Sequence, residues 1–267
     1  MKERLNYTTL RPEDIAEQTL ALDVSIRSNL LSYAVYAKGR QLIHFAASET
    51  EQPLEENPSQ FSEWVRNSEW LKREYEQTRI LWNTPRYTVV PSEYATQGPV
   101  AELTRYQFEV KNNEALRSSQ LVEHSVLYPV NDNLYYSVRS RFPNAEHEHI
   151  GARVLNWYLS EERDNQVLLR FDEGQLQVLY AEAGKLQFCQ SFPFENENEA
   201  VYFVLNALEK LNISRETIRL RVVGISSDSA IGRQLDTYFR KVEMVRIPLP
   251  DALRSTPVHH PMLISLL

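Results

Sequence analysis

The chain has 267 residues, 42% hydrophobic and 24% charged, the balance of a globular protein with a sizeable core in one large domain or two smaller ones. Its formal charge of −7 and pI near 5.5 argue against a phosphate-neutralising surface, so no nucleic-acid partner is expected. No apolar run approaches the roughly 20 residues of a membrane helix, so no membrane span is expected, and the single Cys189 offers neither a disulfide framework nor a metal-type cysteine pair.

The opening MKERLNYTTLRPEDIAEQ lacks the apolar core of a signal peptide, and a cytoplasmic protein is the expectation. From Leu22, LDVSIRSNLLSYAVYAKGRQLIHF alternates apolar and polar residues. It predicts three strands joined by two tight turns, with Gly39 in the second. An acidic, proline-containing loop follows, ETEQPLEENPSQ. FSEWVRNSEWLKREYEQ then places Phe61, Trp64, Val65 and Leu71 at helical spacing, and RYTVVPSEY predicts the next strand. The aromatic residues Trp70, Tyr75, Trp82 and Tyr87 lie among arginines. They are assigned first to the core, then to an interface, and last to base stacking. SVLYPVNDNLYYSVR predicts a further strand and EHIGARVLNWYLSEER a helix. With that helix, His147 and His149 at i and i+2 face apart, and no metal is expected.

The second half repeats the first. VLLRFDEGQLQVLYAEAGKLQFCQ, from Val167, aligns without a gap on the segment from Leu22. Leu22, Val24 and Ile26 fall on Val167, Leu169 and Phe171, and Gly39 falls on Gly184. A helix follows in ENENEAVYFVLNALEKLN, with Glu197 and Glu199 at its positive end. TIRLRVVGIS predicts a strand and SDSAIGRQLDTYFR a helix with an N-cap cluster at Ser226, Ser227 and Asp228. KVEMVRIPL predicts a last strand. The boundary is placed at Arg163-Asp164-Asn165, giving domains over 1–164 and 165–267, the second truncated. Each half reads β-β-β-α-β-α-β, an α/β class with mixed sheets carrying helices on their faces.

Two copies of this order resemble the actin-like ATPase fold, the duplicated ribonuclease-H-like architecture of actin, Hsp70-type chaperones and sugar kinases. A more distant likeness runs to actin-like proteins of pilus assembly and secretion. The segments LALDVSIRSNLLSYAVY, YTVVPSEYA and VLLRFDEGQLQVLYAEAGKLQFCQSFPF are similar to an uncharacterised bacterial domain-of-unknown-function family with that fold. The resemblance implies nucleotide and metal held between the halves. An Asp-x-Gly phosphate loop would lie between the first two strands of each half, and a Gly-Gly-type adenosine loop after a late strand of the second.

Asp172, Glu173 and Gly174 match the second phosphate loop in form, though Asp-x-Gly is also common turn chemistry. In the first half Arg27, Ser28 and Asn29 stand in the equivalent places, and Asp23 lies earlier, inside the strand. Gly224 stands at the adenosine loop, with Ile225 replacing its partner glycine, a loss of close backbone approach. Glu93, after Val-Pro, would face the nucleotide, or Pro91-Ser92-Glu93 starts a turn. With seven glycines in the chain, backbone cradles for phosphate are scarce. A ribonuclease-H-type nuclease needs clustered carboxylates, and Asp23 and Glu93 supply only two. Because fold does not dictate function, two expectations stand. The first is a non-catalytic cytoplasmic interaction or scaffold protein on a degenerate actin-like fold. It has an unidentified protein partner, no catalytic residue and no cofactor. The alternative is a nucleotide-binding actin-like ATPase or kinase-like protein. It would hold ATP with Mg through Asp172, Glu173, Gly174, Gly224 and Glu93.

Overall fold

The computed structural model describes residues 1–9, 20–37, 41–161, 166–172 and 174–245. They form two compact units, Met1–Arg153 and Val154–Leu267. The residues expected at the boundary, the Gly39-Arg40 turn, Glu173 and the C-terminal tail lie outside the described residues.

In the first unit, β1 (Lys2–Thr8), β2 (Ala21–Arg27), β3 (Leu30–Tyr36) and β4 (Leu42–Glu49) precede helix α1 (Ser59–Asn67) and β5 (Gln77–Trp82). An insertion follows: β6 (Thr88–Pro91), a 3-10 turn (Ser92–Tyr94), α2 (Gly98–Gln107), β7 (Glu114–Gln120), β8 (His124–Asn131) and α3 (Asp132–Arg141). Next come β9 (Glu146–His149) and α4 (Ile150–Ser160). The main sheet has the order β1-β4-β3-β2-β5-β9. β2, β5 and β9 run parallel, and β3 and β4 are antiparallel additions. The alternation of β2 and β3 has the expected result. Leu22, Val24, Ile26, Leu31, Tyr33 and Val35 enter one core. Phe61, Trp64 and Val65 of α1 and Leu134 and Val138 of α3 cover it.

Three local expectations change. RYTVVPSEY does form a strand, β6, but in a separate sheet of order β6-β8-β7. The neighbour of β2 is QTRILW, which carries Trp82 from the aromatic stretch. NDNLYYSVR is helical because Asn131 caps α3, its side chain accepting from the Leu134 N–H at 3.0 Å. His147 and His149 lie on β9 rather than on a helix, so they share a face; α4 starts only at Ile150.

The second unit contains β10 (Gln166–Asp172), β11 (Gln175–Glu182), β12 (Lys185–Pro193), α5 (Glu197–Lys210), β13 (Arg219–Val223), α6 (Ala230–Tyr238) and β14 (Val242–Met244). Its sheet order, β12-β11-β10-β13-β14, is that of β4-β3-β2-β5-β9. Val167, Leu169, Phe171, Leu176 and Val178 pack against Val201, Val204 and Leu208 of α5. Asn196 caps α5 by accepting from the Glu199 N–H at 3.0 Å. Where α6 alone links β13 to β14, the first unit spends the whole β6-to-α3 insertion on the corresponding link.

The β11–β12 turn places both Ala183 and Gly184 at positive φ, 50° and 73°, the requirement of a type I′ hairpin. Glycine meets it freely, whereas alanine is strained by its Cβ. Ala183→Asn is expected to raise stability by about 0.5–1 kcal/mol, measured by urea unfolding; an unchanged midpoint would count against strain at this turn.

Candidate functional site

The first hairpin turn closes on the Arg27–Leu30 pair and the second on Asp172–Gln175. The ungapped alignment of the two halves therefore coincides with the strand registers. Arg27, Ser28 and Asn29 occupy the places of Asp172, Glu173 and Gly174.

The acidic loop after β4 folds onto the first turn. The Leu54 N–H donates to the Ser28 carbonyl at 2.7 Å, and the Thr50 N–H to the Asn29 carbonyl at 3.0 Å. The Ser28 hydroxyl donates to the Glu55 carboxylate at 2.8 Å. A phosphate approaching this hydroxyl would meet a carboxylate already bound to it. Beside the turn is a cavity of about 40 Å³ lined by Arg27, Ser28, Glu55 and Asn83. That is room for a water, far below the roughly 300 Å³ at which ligand pockets begin.

Asp23 is fully buried on β2 and faces Arg79, its partner in the parallel β2–β5 register. The guanidinium grips both carboxylate oxygens, at 2.7 and 2.6 Å. Such a fork is directional and strong, and it commits Asp23 to the sheet.

In the second unit Asp172 ends β10, buried, with its carboxylate 2.9 Å from Nη2 of the equally buried Arg170. The two side chains are neighbours because i and i+2 share a strand face. Gly174 supplies the positive φ of the turn, 72°, and its carbonyl accepts from the Phe194 N–H. Gly224, just past β13, has φ 95°. A Cβ there would lie 1.9 Å from the Phe171 carbonyl oxygen. Glycine is therefore required for the end of β13 to close against β10. The N-cap of α6 is Ser229, one residue beyond the expected cluster, accepting from the Gly232 N–H at 3.0 Å. Glu93 is exposed on the 3-10 turn after β6.

Among the described residues no group of three or more His, Cys, Asp or Glu could hold a metal. The paired histidines on β9 are taken up separately. His147 Nδ1 accepts from the Trp82 indole at 3.2 Å. His149 accepts from the Gly151 N–H at Nδ1 and meets the Thr84 carbonyl through Nε2. Cys189 is partly buried on β12, and desolvation raises its thiol to about 12.

A family model described as "Protein of unknown function (DUF3822)" matches residues 9–242. The chain belongs to the DUF3822 family. A structure from Bacteroides thetaiotaomicron VPI-5482, a protein of actin-like ATPase fold and unknown function, superposes with a TM-score of 0.78 at 16% identity. The match covers 93% of this chain and 96% of that one. A chain of the PilM–PilN type IV pilus biogenesis complex superposes at 0.57 and 12% identity, over 92% and 97%. No curated protein matches this sequence. This DUF3822 chain has the actin-like ATPase fold, with two ribonuclease-H-like halves built on mixed sheets. Among the described residues no helix is long and apolar enough to cross a membrane.

The partners of Ser28, Asp23 and Asp172, namely Glu55, Arg79 and Arg170, were not singled out by motif. Arg170 was accessible from strand alternation alone. Glu55 and Arg79 were not, because they lie 27 and 56 residues from Ser28 and Asp23.

Removing Arg79 leaves Asp23 buried and unpaired. Arg79→Ala is expected to cost about 3–5 kcal/mol, while replacing both partners by apolar residues of similar volume costs far less. Equal losses in chemical denaturation would show that the charge pair is unimportant. Burial lowers His44 and His147 from 6.5 to about 4, with Arg139 and Arg117 adding to the effect at His147. The unfolded chain thus binds more protons between these values, and their contribution to stability falls as pH drops from about 6.5 to about 4. His44→Gln and His147→Gln should each flatten that slope in unfolding series across the window.

Proposed function

We propose that this DUF3822 chain is a non-catalytic cytoplasmic interaction protein on a degenerate actin-like fold. Its two halves divide near residue 164, and its partner is another protein. The single observation that carries this reading is the Ser28–Glu55 bond, which gives the turn equivalent to a phosphate loop an anionic lid. The acids that could organise metal-bound water add support, since Asp23 and Asp172 are both engaged by arginines. Phosphoryl transfer needs metal, positioning and a water-orienting group together. Protein binding has a precedent on this fold, since PilM is seen with PilN.

The β6-to-β8 insertion supplies a surface for such a role. Leu103 and Tyr106, one helical turn apart on α2, are 68% and 86% exposed, and Val122 in the β7–β8 turn is 94% exposed. Aromatic residues at contact surfaces are frequent binding anchors.

The alternative, ATP with Mg held by Asp172, Glu173, Gly174, Gly224 and Glu93, draws on the positive φ of Gly174, two residues after Asp172. A thermal-shift titration separates the two. Millimolar Mg-ATP is expected to leave Tm unchanged, whereas a ligand of the native state raises it by mass action. A rise of several degrees would overturn the non-catalytic reading. In affinity capture, a stoichiometric protein partner is expected and should be lost in Leu103→Glu/Tyr106→Glu with no loss of Tm. A partner retained by that variant would remove α2 from the interaction.

A further inference from the structure

The two halves differ at the outer edge of their sheets. In the first unit β1 pairs antiparallel with residues 44–49 of β4. In the second unit the equivalent strand, β12, ends its sheet among the described residues. The equivalence extends to a β-bulge. Ile43 is the extra residue opposite Val35 and Tyr36, and Gln187 is the extra residue opposite Tyr180 and Ala181. Tyr180 and Ala181 fall on Val35 and Tyr36 in the ungapped alignment. Counted from the bulge, residues 188–193 of β12 take the place of the stretch that β1 covers. The bulge does not prevent an antiparallel neighbour at this edge, because β4 has one beside the same irregularity.

The other ends of the two large sheets carry devices that discourage edge-to-edge pairing. β1 begins with Lys2 and Glu3, β9 reads EHEH, and β14 is three residues long. β12 is nine residues long, and its centre, FCQSF over 188–192, carries no charge. The Phe194 N–H donates to the Gly174 carbonyl. Antiparallel pairs alternate between bonded and non-bonded. Counting back from Phe194, the Cys189 N–H and carbonyl therefore turn away from β11. Phe188, Gln190 and Phe192 lie on the α5 side of the strand, opposite Tyr180, Val178 and Leu176. Both phenylalanines are half-buried, and Phe192 stacks on Phe203 of α5 with ring centroids 4.9 Å apart. The outer edge of β12 thus runs along a half-buried aromatic strip.

We propose that β12 is a homodimer interface, at which two copies of the chain pair antiparallel, edge to edge, about a two-fold axis at Gln190. An isologous contact requires a surface that complements itself, and the residues around Gln190 do so. Pairing about this residue sets Phe188 of each copy opposite Phe192 of the other, an aromatic cross-strand pair on either side of the axis. Gln190 meets its own copy without a like-charge penalty. The Lys185 end of each strand comes to the Glu195 end of the other. Both side chains are exposed, and neither is in an ion pair among the described residues.

The test is the mass of the full chain in solution by sedimentation equilibrium. A species of twice the 31.2 kDa chain mass is expected at micromolar concentration. Gln190 is exposed, so Gln190→Lys and Gln190→Glu should each keep the fold, read by far-ultraviolet circular dichroism. Each variant sets like charges opposite one another across the axis and should raise the dimer dissociation constant about tenfold. An equimolar mixture of the two variants should recover the wild-type constant, since lysine then meets glutamate. A dimer built elsewhere on the chain would show neither the loss nor the recovery. A chain that stays monomeric at every concentration would overturn the proposal and leave the edge to a strand from a different protein. A dimer indifferent to both variants, or a mixture that associates no more tightly than either variant alone, would overturn it equally.

Discussion

The parallel pairing of the first strand of each repeat, β2 or β10, with the strand after the helix that follows is the constraint on which the architecture rests. β2 and β10 each take an antiparallel hairpin on one side and a parallel neighbour on the other. A parallel neighbour can be reached only by a crossover. It brings the end of β5, or of β13, to the same sheet edge as the hairpin turn. The Asn83 N–H donates to the Ile26 carbonyl at that edge, and Gly224 closes on Phe171 at the equivalent edge of the other half. In open α/β sheets this carboxyl end is where ligands ordinarily bind.

What the chain places at those edges is structural. Ser28 is fastened to Glu55 and Asp172 to Arg170, and farther back along β2 and β5 Asp23 is fastened to Arg79. A buried ion pair adds little net stability, because desolvating both charges offsets much of their attraction. Its consequence is specific pairing. A one-residue slip of β2 against β5 would separate Asp23 from Arg79 and turn Leu22, Val24 and Ile26 out of the core. The Asp23–Arg79 pair thus favours the same register that the apolar alternation does. In the second unit Arg221 serves similarly, pairing with Glu161 and lying over the Trp157 ring.

The duplication was legible because strand alternation and turn residues are local, and an ungapped repeat of both leaves few other folds. Helix α5 was equally legible from its apolar face and anionic first turn. The middle of the first half was not. RYTVVPSEY and QTRILW have comparable strand character, and nothing within either segment says which sheet it joins. EHEH before Ile150 is too short for its period to separate strand from helix. In NDNLYYSVR the apolar tyrosines masked a capped helix whose start depends on the Asn131 side chain.

The sequence by itself determined the elements with strong periodicity, the two tight turns of Asp172-Glu173-Gly174 and Ala183-Gly184, and through their repetition the actin-like order of both halves. Only the tertiary structure decided what each charged or hydrogen-bonding side chain does. A turn resembling half of a phosphate site carries the same letters whether its carboxylate is open to a ligand or held by a guanidinium. Spacing along the chain governs which residues share a face, over two residues in a strand or three to four in a helix. Which charge meets which across 27 or 56 residues is governed by strand pairing and loop closure, and those are properties of the folded chain alone.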